Sequence, residues 1–598
     1  MAYHGRPRVR FGTLRQEVFA VFRCNFAVLL GLATIALLPT ACSGDGEQGS
    51  KGDKGGTAKT GGEGSSDVES DRPHWEDRGD TLIYGVGMDA DGLCPILYQS
   101  VTGGNVVDLV TPRVTNSDFA NGRITFLPAL AKSWEWSEDH TKLTYTIRDD
   151  AVWDDPSRTI VSGEDFVFTY MMMRDPDVAS PRGAYTERMD PQEPVTLLPD
   201  GRVRFNFLYA YNEQTMLAHA GMNLIPKHLL TGVERKAMRQ HDLHIKNAAG
   251  HGPFRLLSWD PKKEIVLVRN KACKTIAVPY LRRIIMRVIP EYQTLLTEMR
   301  KGGIDLMESI QEKDIADAKL WGNVKLYRRG YRFLDYVAWN GQNPLFADRE
   351  VRRALTMAMD LDTMIKNLLT FGGETHGTKA YSTLTPELTD FVHEGFAFLP
   401  FDPKKAAAVL DKAGWSDTDG DGVRDKEGKR FEFTLLTNQG NPRRKDACEL
   451  IQANLKAIGV KANLELREGV TFFDLLRKKE YDAAVSGWSA GLFPDPSDIW
   501  HSATEKEPRP YNFTAYSNAE VDKLIQAGLR TADLTKEAAI WKRMQKLIYD
   551  DQPYTFLYWK KSTFPLHKRF KGVEPNVLSV IHKLENWYVP KADHKYKY

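Results

Sequence analysis

The sequence predicts an α/β protein with mixed sheets, divided into more than one lobe. Three observations carry this. Phe431 to Leu436, Arg443 to Ile458, Val460 to Leu466, Phe472 to Lys479 and Tyr481 to Ser486 alternate strand, helix, strand, helix, strand by apolar period. Earlier, Leu127–Asp150 and Leu256–Val268 alternate with period two around polar turns, as antiparallel hairpins do. Finally, the length of 598 residues exceeds what one core fills, and implies two to four domains of about 150 residues each.

The N-terminus comes before any of this. Arginines 6, 8, 10, 15 and 23 precede the apolar run Phe26–Leu38, a length suited to a signal-peptide core and too short for a permanent membrane span. The run closes on LPTAC, which resembles a bacterial lipoprotein signal with Cys42 as the lipidated first residue. Pro39 stands where such signals carry leucine, so ordinary cleavage near Ala41 is the alternative. Residues 1–41 are thus read as the leader. The stretch 42–77 is read as a tether, because Ser43–Arg72 is almost all Gly, Ser and charge and cannot bury enough to fold. A flexible chain of that length reaches ~30 Å.

Composition narrows the partners. The 81 basic and 79 acidic residues become 76 and 78 once the leader's five arginines and Glu17 are removed, a balance that argues against nucleic acid. Beyond the leader and anchor only Cys94, Cys273 and Cys448 remain, allowing one disulfide at most and no metal site by spacing.

In the first half, Thr81–Gly87 reads as a half-buried strand, and Glu164–Met173 as a helix stopped at Asp175-Pro176. The methionines of that helix read as core. LPALAKSWEWSED (127–139), YTIRDDAVWDD (145–155) and SGEDFVFTYMMMRDP (162–176) together resemble the signature region of the family-5 extracellular solute-binding proteins, which include dipeptide- and oligopeptide-binding proteins of ATP-driven importers. LIPKHLL (224–230), GPFRLLSWDPKKEIVLVRN (252–270), the stretch Pro279–Leu306 and NPLFADREVRRALTMAMD (343–360) follow in the same order. The resemblance implies a type II periplasmic-binding-protein-like fold. Lobe 1, with an extra N-terminal subdomain, would span 78–334, lobe 2 would span 335–555, and 556–598 would return to lobe 1. Two crossing strands between the lobes would form a hinge that closes on ligand.

His251 beside Gly252-Pro253 reads as a polar loop residue, since no nucleophile accompanies it. Arg349, Arg352 and Arg353 fall mostly off the apolar stripe Val351, Ala354, Leu355 and Ala358, as a solvated helix face does. Asp402 and Pro403 begin a short helix that Gly414 ends, and Ser517 with Glu520 forms a capping box. Asp417, Asp419, Asp421 and Asp425 occupy the first, third, fifth and ninth positions of a calcium loop, with Gly422 at its sharp turn. The twelfth position is Gly428 and a strand follows, so a structural calcium and a metal-free Asp/Gly turn both stand. No other cofactor is expected.

The stretch Ser486–Ser502, SGWSAGLFPDPSDIWHS, has two readings. Gly487, Ser489 and Gly491 fit the G-x-S-x-G turn of a serine hydrolase, but Pro494 and Pro496 follow where that turn needs a helix. The alternative is a wall of a ligand cleft, with Trp488, Ser489, Ala490, Gly491, Phe493, Asp495 and Trp500 as its contacts and no enzyme activity. By resemblance, Trp488 precedes the ligand-contacting loop, and the aspartate that pairs with a peptide's α-amino group in peptide-binding relatives is replaced by Gly491. Asp495 and Asp498 lie beyond that register. The resulting expectation is a monomeric solute-binding protein, anchored at the envelope by lipid on Cys42, that passes a peptide or similar oligomeric solute to an ABC permease. A ligand sensor of the same fold is the variant.

Overall fold

The computed structural model describes residues 79–596 apart from 112, 506 and 507. The leader, Cys42 and the whole 42–77 tether lie outside the described residues. No described helix is long and apolar enough to cross a membrane.

One mixed sheet of eleven strands runs through the molecule. Its order is Lys461–Arg467, Glu432–Asn438, Ala483–Ser489, Val324–Trp339, Tyr554–His567, Leu306–Met307, Thr81–Val86, Arg283–Val288, Glu264–Arg269 and Phe254–Asp260, with Gly377–Lys379 also paired to Tyr554–His567. At one end Thr81–Val86 pairs in parallel with Arg283–Val288. At the other, Glu432–Asn438 pairs in parallel with Lys461–Arg467, the crossover being the helix Pro442–Lys456.

Two strands are shared by both ends. Val324–Trp339 has 16 residues and Tyr554–His567 has 14, where strands usually have 3–10. The sequence period marks only Tyr331–Asn340 and Thr555–Trp559, because the remaining positions carry charge where the strands leave one core for the next. The two pair antiparallel with register shifts between Arg328 and Tyr331, Tyr331 and Phe333, and Asp335 and Tyr336. Such bulges bend and twist a strand pair, and here they fall between the two ends of the sheet. From Phe333 to Trp339 the strand takes Ala483–Ser489 as its other neighbour, while Leu566 of Tyr554–His567 pairs with Leu306 toward the opposite end.

Each body has its own core. Leu82, Tyr84, Ile284, Leu306, Leu566 and Trp587 fill the first end of the sheet. Residues 94–238 build a separate core around Tyr145, Trp153, Phe166, Tyr170 and Phe205, beside the four-stranded sheet Ala131–Trp136, Lys142–Ile147, Val203–Asn206 and Val195–Leu197. The second end is packed on both faces, by Trp339, Phe346, Leu355, Phe433 and Ile451 on one, and Tyr336, Phe472, Trp488, Trp541 and Tyr554 on the other. Met172 and Met173 are core as expected, whereas Met171 of the same helix is 50% exposed, because three consecutive residues cannot all share one helix face. Arg569, buried between Asp80 and Asp305, ties the returning C-terminal segment to the first strand.

Several local expectations need correction. Asn518, not Ser517, caps the helix Ala519–Leu529, accepting from the backbone N–H groups of Glu520 and Val521, while the Ser517 hydroxyl meets Ser502. Asn reaches the same amides as Ser. Arg352 is no solvated charge. It donates to the carbonyls of Phe346, Ala347, Asp551 and Gln552, closing the C-terminus of the helix Leu534–Asp551. His251 is buried, its Nδ1 accepting from the Val152 N–H, and burial lowers its pKa. Cys94, Cys273 and Cys448 are free and buried.

Candidate functional site

The strand Ala483–Ser489 lies between Glu432–Asn438 and Val324–Trp339, so its residues alternate between two cores until it ends at Ser489. The chain then turns at a point fixed by Arg332. The Ala490 N–H donates 2.8 Å to the Arg332 carbonyl, and the Arg332 guanidinium returns 2.6 Å to the Ala490 carbonyl and 3.2 Å to that of Val577. Leu492 and Phe493 next meet Ile124 and Phe126 of the hairpin Thr115–Pro128, with Val577 and Leu578 of the C-terminal segment. Phe126 stacks on Phe493 with ring centres 6.3 Å apart. The loop therefore touches both lobes.

The two tryptophans sit differently from expectation. Trp488 is 8% exposed, stacked on Phe513 at 5.1 Å and near Tyr336, and Trp500 is 1% exposed, its indole N–H donating 2.8 Å to Thr383. Both rings support the loop from inside lobe 2 instead of lining open surface. An aromatic residue on a strand that is covered on both faces packs into core by default. Ala490 is buried as well, whereas Ser489 and Gly491 are exposed.

The two glycines of the G-x-S-x-G run have unrelated causes. A Cβ at Gly487 would fall 2.5 Å from Asp335 Oδ1 and 2.6 Å from the Leu334 carbonyl, and closer still to Arg444. Gly487 is there because Asp335, 2% exposed, is held by Arg443 at 2.7 Å and Arg444 at 3.1 Å against that backbone. At Gly491 the nearest atom to a Cβ is the Phe493 carbonyl at 3.6 Å, so the position faces open space. After Ser489 only one helical turn forms, Ser497–Trp500. His501 meets Ser502, Asp522 and Gln526, and Asp495 meets Arg188 and Ser497, so neither serves Ser489 as a base. The arrangement has no nucleophile elbow.

Asp495 has a structural partner that the sequence did not suggest. Its carboxylate pairs with Arg188 of the lobe 1 subdomain and accepts from the Ser497 N–H at 3.1 Å and hydroxyl at 2.6 Å. Burial would raise its pKa, and Arg188 with Ser497 more than offsets this, leaving it below the usual carboxylate range. Arg123–Asp390 at 2.6 Å and Asn212–Glu537 at 3.0 Å also join the subdomain to lobe 2. These contacts and the Phe126–Phe493 stack join lobe 1 and its subdomain to lobe 2 in the structure.

The sequence profile of the bacterial extracellular solute-binding proteins, family 5 Middle, matches residues 125–509. The chain belongs to this family.

The family 5 protein is 30% identical over 434 residues to the oligopeptide-binding protein AppA of Bacillus subtilis, covering 72% of this chain and 78% of AppA. The structure of that AppA in complex with a nonapeptide superposes with a TM-score of 0.69 at 26% identity, covering 86% of this chain and 99% of the other. Heme-binding protein A of Haemophilus influenzae is 25% identical over 563 residues, 91% of this chain and 95% of its own. The NikZ structure from Campylobacter jejuni in complex with Ni(L-His) has the same fold, with a TM-score of 0.69 at 23% identity, covering 85% and 99%. This family 5 protein is therefore an extracytoplasmic substrate-binding protein of ABC transport and not an enzyme, while the solutes of its relatives differ in kind.

The acidic loop of the family 5 protein brings together three of the four residues read as calcium ligands. Carboxylate oxygens of Asp417, Asp419 and Asp425 lie within 4.8 Å of one another. Asp421 instead pairs with Arg430 at 2.5 Å. Asp417 accepts from the N–H groups of Gly420 and Gly422, and Asp425 from Thr418, so the turn is closed by its own hydrogen bonds. Arg188, Arg332, Val577 and the hairpin Thr115–Pro128 are the site residues that sequence reasoning missed. Their only signal is spatial, because Arg188, Arg332 and the hairpin lie more than 150 residues before the loop partners they meet and Val577 lies more than 80 residues after them.

Proposed function

We propose that the protein captures a peptide or similar oligomeric solute between its lobes and passes it to an ABC permease. The observation that carries this is the meeting of the Ser489–Asp495 loop with the hairpin Thr115–Pro128 beside two bulged crossing strands. That arrangement lets a cleft open and close without breaking either core. The solute faces Ser489 and Gly491 and main-chain groups of the loop, while Trp488 and Trp500 hold it in shape. The lobe divisions 78–334, 335–555 and 556–598 agree with this reading, since the register shifts near Phe333 and Asp335 adjoin two of them. Likeness to AppA favours a peptide over the heme or nickel chelate of other relatives.

The leader 1–41, lipid on Cys42 and the 42–77 tether hold this body at a membrane of the cell envelope, on its periplasmic side. Native mass spectrometry of the protein purified from its own host tests the ligand. Peptides released on denaturation are expected, and a heme or a metal chelate as the sole released species would overturn the assignment. Cys42→Ser should move the protein from the membrane fraction to the soluble one, and unchanged membrane retention would exclude the anchor.

A further inference from the structure

The contacts that shut the molecule on the subdomain side are independent of the crossing strands. Asn212 caps the helix Glu213–Ala220, its Oδ1 accepting from the Thr215 N–H at 2.8 Å, which turns its amide Nδ2 toward lobe 2. There it donates 3.0 Å to Glu537 Oε1, and its own backbone N–H donates to the Leu529 carbonyl. Glu537 stands in the first turn of Leu534–Asp551 and also accepts from the Trp541 indole at 3.0 Å. It is 3% exposed, and part of its cover comes from the other lobe. The charged groups facing it are Asp390, which repels it, and Arg123, which attracts it but is itself engaged by Asp390 across the same seam.

A carboxylate set in a seam between moving bodies changes its environment when they part. We propose that Glu537 and Asn212 form a proton-linked clasp across the lobe seam, so that acidification favours the closed, solute-retaining form. The inference rests on the two-lobed solute-binding fold and is indifferent to the identity of the solute.

The sign follows from the environment. Burial pushes the Glu537 carboxyl up to about 7, with the hydrogen bonds from Trp541 and Asn212 opposing that rise. Opening returns the group to water and to an ordinary glutamate value, so closing takes up a proton between those limits. The closed form is then favoured as pH falls from 8 toward 5, and the preference is lost as pH rises through 7. Between pH 8 and pH 5.5 the closing constant gains up to about 30-fold from this one group. Asp495, held low by Arg188 in the same seam, titrates below this window.

Small-angle X-ray scattering of the protein alone at pH 5.5 and pH 8 reads the radius of gyration directly. Wild type is expected to be more compact at pH 5.5. Glu537→Gln keeps the carbonyl acceptor for Asn212 and Trp541 without the charge, and is expected to be compact at both values. Asn212→Asp retains a helix cap and sets a second carboxylate against Glu537, so it is expected to open at pH 8 more fully than wild type, with far-ultraviolet circular dichroism reporting an intact fold. A wild-type radius equal at both pH values, or a pH response unchanged in Glu537→Gln, would overturn the clasp. Failure of the peptide assignment would leave both readouts unaffected.

Discussion

Replacing each glycine of the G-x-S-x-G run by alanine separates packing from catalysis as the reason for the motif. At Gly487 the new methyl meets the Leu334 carbonyl at 2.6 Å, which as paired strand backbone cannot yield, and Asp335 Oδ1 at 2.5 Å. Asp335 or Arg444 must therefore move. Overpacking of a tight interior costs ~1–3 kcal/mol, and full rupture of a buried ion pair costs ~3–5 kcal/mol. Partial rupture added to overpacking places Gly487→Ala at about 2–5 kcal/mol of destabilisation. At Gly491 the same methyl finds ordinary contact at 3.6 Å and no left-handed backbone, so Gly491→Ala should stay within ~0.5 kcal/mol of wild type.

Urea unfolding followed by tryptophan fluorescence measures both, since Trp488 and Trp500 report on lobe 2. Equal stability of the two variants would refute the packing account. Acid provides a second check. Burial raises the Asp335 pKa, but Arg443 and Arg444 overcome it and hold the carboxyl at about 2. Its contribution is present above the unfolded value near 4 and is lost as pH falls toward 2, so the Gly487→Ala deficit should shrink over that interval.

Trp488→Ala removes a buried ring and should cost ~3–5 kcal/mol in the same unfolding experiment; wild-type stability would show that the ring is outside the core. Glu585 is buried with neither carboxylate oxygen hydrogen-bonded among the described residues, and burial pushes its pKa up to about 8. Its neutral form leaves stability intact below the unfolded glutamate value of about 4.3, and stability is lost as pH rises from there through 8, so Glu585→Gln should raise the melting temperature at pH 9 and leave it near wild type at about pH 3.5. A rise of equal size at both values would exclude ionisation as the cause. Calcium titrated calorimetrically into chelator-treated protein is expected to bind no tighter than about 10⁻⁴ M, because Asp421 is committed to Arg430 and Gly428 stands at the twelfth position; micromolar affinity would overturn this.

Local pattern determined most of the architecture. The alternation across residues 431–486 appears as three parallel strands joined by the helices Pro442–Lys456 and Gly469–Lys478, and Asp402, Pro403 and Gly414 bound a real helix. What failed locally failed through competition at close range, as where Asn518 displaced Ser517 at a cap. What failed globally needed partners distant in sequence. Arg349 is exposed as expected, whereas Arg352 and Arg353 looked solvated because acceptors of theirs, the carbonyls at Asp550–Gln552, arrive some 200 residues later. Asp495 looked free because Arg188 lies 307 positions before it.

The placement of Trp488 and Trp500 is the more instructive failure. A cluster of aromatic residues in a Pro-rich loop fits a cleft wall and a core prop equally well, and period alone cannot separate them at the end of a strand covered on both faces. The structure resolves this through Gly491, whose surroundings are open while every aromatic near it is at least partly covered. Under the proposed cleft reading, the loop offers a solute main-chain groups and small side chains; the loop itself is fixed in place by Arg332 from the crossing strands and by Phe493 against Phe126. Selectivity at this wall then depends on how far the loop and the hairpin approach each other. The contacts that set that approach in the structure are Arg188 with Asp495 and Asn212 with Glu537, each between the subdomain and lobe 2.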